Sequence, residues 1–229
     1  MKNIINERPS DTLFGRNLAL LKFIKNKDIK EKIVLDLGCG FGWLEYNFAN
    51  LAKKIIAMDL DKKNLAMCKK YVKEKNVVFM FGNALEIPIK TNSLETVIAS
   101  ELIEHLPKKS ENNFFIEINR VLKKNGVFYL TTPFKSFWSK TFDPAWWLIN
   151  HRHYSHNELK KWAQKNGFVE TDYKVVGSWW SLLSLLNMYI SKWIFRREKF
   201  FKNFFNKKET EEFFKDSGFM NIFISFKKI

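Results

Sequence analysis

Hydrophobic and polar positions change period repeatedly along this chain. Short apolar runs alternate with stretches where apolar residues recur every three or four positions. Residues 32–37 (KIVLDL), 55–58, 77–81, 96–100 and 127–132 read as strands. Residues 13–24, 43–51 and 113–122 read as helices, the first with Ser10 as its N-cap and the last ending at Asn125-Gly126. Asp61 caps a further helix that carries Leu65, Cys68 and Val72 on one side. Ser155-His156-Asn157-Glu158 has the form of a capping box, opening a helix to Lys165 that stops at Asn166-Gly167. Residues 168–176 predict a sixth strand, 178–215 a helical segment and 220–227 a last strand. Strands alternating with helices argue for an α/β fold built on a parallel sheet.

One strand-to-helix junction carries chemistry. It reads VLDLGCGFGWLE over residues 34–45. Gly38, Gly40 and Gly42 let the backbone turn sharply and approach a ligand, and the following helix offers unpaired N–H groups. The second strand ends in Asp59, an acid placed to accept both hydroxyl hydrogens of a ribose. A dinucleotide site needs G-x-G-x-x-G, but its third glycine would fall at Trp43. Asp36, two residues before Gly38, would repel a pyrophosphate and attract an ammonium. The junction therefore favours a ligand with a ribose and an amino-acid end. S-adenosylmethionine (SAM) is such a molecule.

With its companion segments, this junction resembles the class I SAM-dependent methyltransferases, in particular the broad group that includes ubiquinone and menaquinone biosynthesis enzymes. IIAMDLD (55–61), VVFMFGNALEIPI (77–89), IASELIEHL (98–106), VLKKNGVFYLTTP (121–133) and RHYSHNELKKWAQKNGF (152–168) are similar to that family's successive motifs. The resemblance spans residues 14–176. It implies a Rossmann-like seven-stranded sheet with helices on both faces and an antiparallel last strand. It implies SAM as cofactor, held by Asp36, Gly38, Cys39, Gly40, Gly42, Asp59, Leu60, Asn83, Ala84 and Ser100. Asn83 stands where relatives usually carry Asp against the adenine amino group. Cys39 is expected to contribute backbone, not thiol chemistry.

Glu101 and His105 are four residues apart, so on a helix they would share a face. One reading has Glu101 orient His105, which takes the acceptor's proton; the other has the pair fix the loop. Trp138, Trp146, His151, His153 and Tyr154 are the candidate acceptor contacts, with Arg152 beside them, and Tyr154 reads equally as a core anchor. The 22 residues 133–154, rich in Phe and Trp, form an unusually long connection, and long connections are commonly functional. The loop after the fourth strand lacks the Asn/Asp-Pro-Pro-aromatic tetrapeptide in which amino-group methyltransferases resemble one another. That points to O- or C-methylation.

Ser178, Ser181, Ser184, Asn187 and Ser191 make a narrow polar stripe on an otherwise apolar helix. Residues 196–208 follow with a net charge of 6 − 1 = +5 and Phe200, Phe201, Phe204 and Phe205 among the cations. A basic, aromatic helix suits a membrane interface. A single domain over 1–229 is expected, with 178–217 as a helical lid whose apolar underside covers the acceptor, and which either stops there or also docks on an anionic membrane. The expected return of the last strand to the same sheet argues against a membrane span.

Composition adjusts this picture. The chain of 229 residues carries a net charge of +15, which invites a polyanion. Its 39 basic residues are overwhelmingly lysine, however, and nucleic-acid readers favour arginine for bidentate contacts. The 23 Phe and 8 Trp are the stronger clue and point to a small apolar acceptor. Two cysteines make neither a disulfide framework nor a zinc site, so the expectation is no metal and a reducing cytoplasm. RNA methylation and non-catalytic SAM binding at a membrane are the alternatives.

Overall fold

The computed structural model describes residues 13–143, 146, 151–215 and 217–229. Ser10 and Trp147, the latter part of the aromatic connection, lie outside them. The chain runs α1 (Gly15–Phe23), β1 (Ile33–Leu37), α2 (Trp43–Phe48), β2 (Lys54–Asp59), α3 (Lys62–Tyr71), β3 (Val77–Phe81) and β4 (Leu94–Ser100). It continues through α4 (Glu111–Val121), β5 (Leu122–Pro133), α5 (Phe137–Phe142), α6 (His156–Lys165), β6 (Phe168–Val176), α7 (Trp179–Trp193), α8 (Lys202–Phe213) and β7 (Asn221–Lys228).

The seven strands form one sheet in the order β3-β2-β1-β4-β5-β7-β6. β7 is antiparallel to both neighbours and the remaining pairings are parallel. Side chains alternate across the sheet, as the strand period requires. Phe128, Leu130, Ile222, Ile224 and Phe226 join the core under α4 and α6. Tyr129 and Phe223 face the other way, into the core under α1, α2 and α3. The order reverses at β1 and β4, and a ligand crevice is expected beyond the carboxyl ends of those two strands.

Local signals behave as their chemistry dictates. Asp61 Oδ1 accepts from Lys63 N at 2.7 Å and caps α3. Ser155 and Glu158 close both halves of the capping box on α6. Asn125-Gly126 does something else. α4 ends at Leu122 without it, and Asn125 takes φ 65° inside β5, where the pairing with β4 shifts register. A left-handed residue serves a bulge as well as a helix end.

The segment after β6 is a helical hairpin with an inverted pattern. The polar stripe of α7 faces α8 and is buried: Ser181, Ser184 and Ser191 are 5%, 3% and 0% exposed. Glu212 of α8 accepts from Ser178 N, Trp180 N and Ser181 N and from the hydroxyls of Ser178 and Ser181. Its carboxylate thus caps the start of α7, where the helix dipole favours negative charge. Ser184 Oγ donates to Glu209, and Asn187 exchanges hydrogen bonds with the backbone of Phe200. Part of the apolar side goes outward: Trp179, Leu183, Ile190, Trp193, Ile194, Phe195 and Phe201 are 46–80% exposed, while Leu182 is buried. Among the described residues no helix is long and apolar enough to cross a membrane.

Candidate active site

The carboxyl ends of β1, β2 and β4 border a cleft of about 360 Å³. Gly38, Gly40, Asp59, Leu60, Asn83 and Ala84 line it from one side, and Glu101 and His105 from the other. Gly40 has φ 53°, and a Cβ there would meet nothing within 4 Å, so the loop leaves room for a ligand against its backbone. Asp59 Oδ2 accepts from Gly40 N at 3.0 Å and from Asn64 Nδ2 at 3.2 Å. Its Oδ1 accepts from Asp61 N at 2.8 Å. The carboxylate is therefore fixed at the cleft mouth before any ligand arrives. Asn83 is exposed, and Oδ1 accepts from Leu85 N at 3.0 Å in a local turn.

Four of the expected cofactor positions serve the fold. Gly42 has φ 84°, and a side chain there would strike Cys68 Sγ at 2.3 Å, so its role is to let α3 close on the loop. Cys39 is 2% exposed, and its thiol is held protonated by Cys68 and by burial. Ser100 Oγ faces Thr131 Oγ1 at 3.1 Å, and Leu102 lines the cleft instead. Asp36 is 2% exposed beneath the loop. There it meets Glu45, a fully buried residue whose two carboxyl oxygens find no donor among the described residues.

Glu45 is a site residue that the sequence did not single out. It stands nine residues beyond Asp36, and only the turn of the glycine loop brings them together. Burial lifts the pKa of Asp36 to about 7, and burial and the Asp36 charge push Glu45 well up. An acid whose folded pKa is raised contributes stability that is complete below its unfolded pKa and is lost as pH rises through the folded one. The ligand-free protein should therefore lose melting temperature between about pH 4 and pH 7 or above. Glu45→Gln should flatten that slope. Thermal melts at pH 5, 6, 7 and 8 check this, and an equal slope in both proteins would contradict it.

Glu101 does not orient His105. It has φ 52° at the end of β4, and Ile103–His105 is a single 3-10 turn, so the two do not share a helix face. The Glu101 carboxylate instead binds Arg16 Nη1 at 2.8 Å and Asn221 Nδ2 at 3.2 Å. His105 is exposed on the cleft wall, its ring 4.8 Å from that of His151. Partial desolvation, then His151, holds its pKa below the usual histidine value.

Arg152 and Tyr154 build the wall instead of lining it. The Arg152 guanidinium donates to the carbonyls of Ile103, Glu104 and Leu106. Tyr154 is 4% exposed and its hydroxyl donates to Ile103 O at 3.3 Å and Glu111 at 3.1 Å. Together they pin the turn that presents Glu104 and His105. His153 is buried, with Nε2 2.9 Å from Asp143 Oδ2. Trp138 is 40% exposed and packs on Trp179 of α7 at 4.8 Å, while Trp146 borders a separate shallow hollow beside α5.

A protein family described as a methyltransferase domain matches residues 35–130, from β1 into β5. That region resembles a methyltransferase domain. A probable S-adenosylmethionine-dependent methyltransferase of Mycolicibacterium smegmatis is 30% identical over 139 residues, 61% of this chain and 52% of that protein. A ubiquinone biosynthesis O-methyltransferase of Pelagibacter ubique is 29% identical over 119 residues, 51% of this chain and 48% of that protein. The chain thus spans about half the length of the curated relatives it matches. The crystal structure of geranyl diphosphate C-methyltransferase from Streptomyces coelicolor superposes with a TM-score of 0.66 at 15% identity, covering 93% of this chain and 77% of that one. The chain thus has the seven-stranded fold expected from its motifs, and the Mycolicibacterium smegmatis relative is named for its dependence on SAM.

The cleft fits that cofactor. The open face at Gly40 and the fixed Asp59 carboxylate are features that a ribose beside the loop would satisfy.

Proposed function

We propose that the chain is a SAM-dependent methyltransferase acting on O or C of a small hydrophobic or lipid-linked acceptor taken from an anionic membrane surface. When bound, SAM supplies an activated methyl group on a sulfonium. Asp59 holds the ribose, and the backbone at Gly38 and Gly40 admits the amino-acid end. Asn83 and Ala84 border the adenine. Placement of the two reactants is the main catalytic contribution of such a site, worth up to about 7–11 kcal/mol in favourable cases. His105 stands on the cleft wall where an acceptor hydroxyl would give up its proton.

The observation that carries the acceptor class is the inverted hairpin. A chain that buries serines and glutamates between α7 and α8 while exposing Trp193, Ile194, Phe195 and Phe201 has an apolar surface that water disfavours. Arg196, Arg197 and Lys202 flank it, as an anionic interface requires. This hairpin, at 178–217, is the proposed lid, and Trp138 on Trp179 links it to α5.

The test is incubation with radiolabelled SAM and fractionated cell extract. Label in the organic-extractable fraction is expected. Label in RNA alone, or in no fraction, would refute the proposal.

A further inference from the structure

The first turn of α1 joins the hairpin to the cleft. Phe14, at the N-cap of α1, offers no side-chain acceptor to the helix start. The Gly15 amide is met from elsewhere and donates to Thr210 Oγ1 of α8 at 2.7 Å. Gly15 takes φ 51°, and a Cβ there would lie 2.9 Å from Glu209 Oε1, so the glycine lets α8 press against the helix start. Glu209 in turn accepts from Ser184 Oγ of α7 at 2.6 Å, and Lys22 Nζ stands 4.3 Å over the ring of Phe214. α1 is thus seated on α8 and, through Glu209, tied to α7.

The next residue faces the cleft wall. Arg16 Nη1 donates to Glu101 Oε2 at 2.8 Å, and the Glu101 side chain is 14% exposed. Asn221, the first residue of β7 just beyond the hairpin, donates to the same carboxylate at 3.2 Å. Glu101 holds φ 52°, a conformation that a non-glycine residue keeps only where its surroundings enforce it. Its amide donates to Thr131 O of β5 at 3.0 Å, and the residue lines the cofactor cleft. Arg16 also faces buried Glu104, whose pKa is raised by burial and then by the Glu101 charge and is drawn back by the guanidinium. Moving the Arg16 cation away would leave the two carboxyl groups facing each other, so the hold on Glu101 depends on where α1 sits.

We propose that Arg16 is a positioning residue for the cofactor cleft, transmitting the seating of the α7–α8 hairpin on α1 to Glu101. The hairpin leaves the sheet through Gly177, with φ 74°, and returns through Gly218, where a Cβ would lie 2.4 Å from Val176 C. Phe219 N donates to Gly177 O at 2.8 Å, so the two ends meet backbone to backbone. A root this narrow confines a tilt of the hairpin to a few dihedrals. With the hairpin seated, Arg16 holds Glu101 in its left-handed conformation and the cleft wall is fixed. With the hairpin tilted, α1 follows, the ion pair lengthens and Glu101 relaxes. Resting on the reading above of the cleft as a SAM site and the hairpin as a lid, cofactor in the cleft and a seated hairpin favour each other, because linkage is reciprocal.

Hydrogen exchange of the full chain, resolved by nuclear magnetic resonance, tests the coupling. Thr210→Val removes the acceptor for Gly15 N and does not touch the cleft lining. In the ligand-free protein it should speed exchange of the Glu101 amide by about fivefold or more. In an Arg16→Gln background the same substitution should add nothing, because the link is already cut. Arg16→Lys, which keeps a cation, should restore part of the response. A merely structural Arg16 would instead give two effects that add. Thermal melts confirm that each variant folds. In a second arm, SAM should slow exchange across α8 in the unaltered protein and leave it unchanged in Arg16→Gln, with binding to both followed by calorimetry. Unchanged Glu101 exchange in Thr210→Val, additive effects in the double variant, or equal protection of α8 by SAM in both proteins would overturn the proposal. Absence of SAM binding to the unaltered protein would remove the cofactor reading, and the ligand-free arm would still decide the coupling.

Discussion

Asp59→Ala is expected to abolish measurable SAM binding by calorimetry. The carboxylate stands at the mouth of the cleft and would accept two hydroxyl hydrogens from one ribose. Hydrogen bonds to a charged group contribute about 1.5–3 kcal/mol each, so losing two lowers affinity by roughly 100-fold or more. The variant also removes the acceptor for Gly40 N, Asn64 and Asp61 N, which hold the glycine loop and the start of α3 in register. Asp59→Asn separates these effects. It keeps the shape and one acceptor oxygen, and its affinity should fall between the other two. Unchanged affinity in Asp59→Ala would contradict the assignment of this cleft to SAM.

Replacing Trp193, Ile194 and Phe195 together by serine is expected to remove the protein from anionic vesicles without lowering its melting temperature. All three are more than half exposed, so the fold gains little from them. Transfer of a large apolar side chain out of water is worth about 1.5–3 kcal/mol when burial is complete. Three together give a loss in partitioning of roughly 100-fold or more even if insertion is partial. Arg196→Gln with Arg197→Gln should weaken binding less, by about 1 kcal/mol per residue, and only to anionic vesicles. Flotation with and without anionic lipid reads both. Equal flotation of the triple variant and the unaltered protein would show that the hairpin is not the contact surface. No flotation of the unaltered protein would remove the membrane from the account.

The elements that the sequence made legible are those specified locally. A capping box, a helix-capping Asp61 and runs such as VVFMF depend on neighbours a few residues apart, and Val77–Phe81 and Phe168–Val176 emerge as expected. The glycine loop and Asp59 were legible because a ligand crevice imposes fixed spacing on them. Features decided by tertiary packing were not. Asn125-Gly126 has the same local chemistry in a bulge as at a helix end. α5 is only six residues long, and its aromatic sequence looked like a loop.

The stripe of serines on α7 read as a narrow polar rib on a helix either buried or laid against lipid. Its true partners are Glu209 and Glu212, more than twenty residues away, and they turn the helix inside out. Glu45, Glu104 and the wall-building role of Arg152 escaped for the same reason. Each acts through a contact with another segment: Asp36 across the loop, Thr132 on β5, and the carbonyls of residues 103–106. The carboxyl oxygens of Glu45 and Glu104 are conspicuous only when burial and missing partners are seen together.

The most direct measurement is label transfer in a reconstituted system: purified protein, radiolabelled SAM, and anionic vesicles loaded with the apolar extract of cells. Methyl label is expected in an organic-extractable product, lost with Asp59→Ala and strongly reduced in the Trp193, Ile194 and Phe195 variant. Label transfer that survives Asp59→Ala, or appears only on a water-soluble acceptor without vesicles, would contradict it.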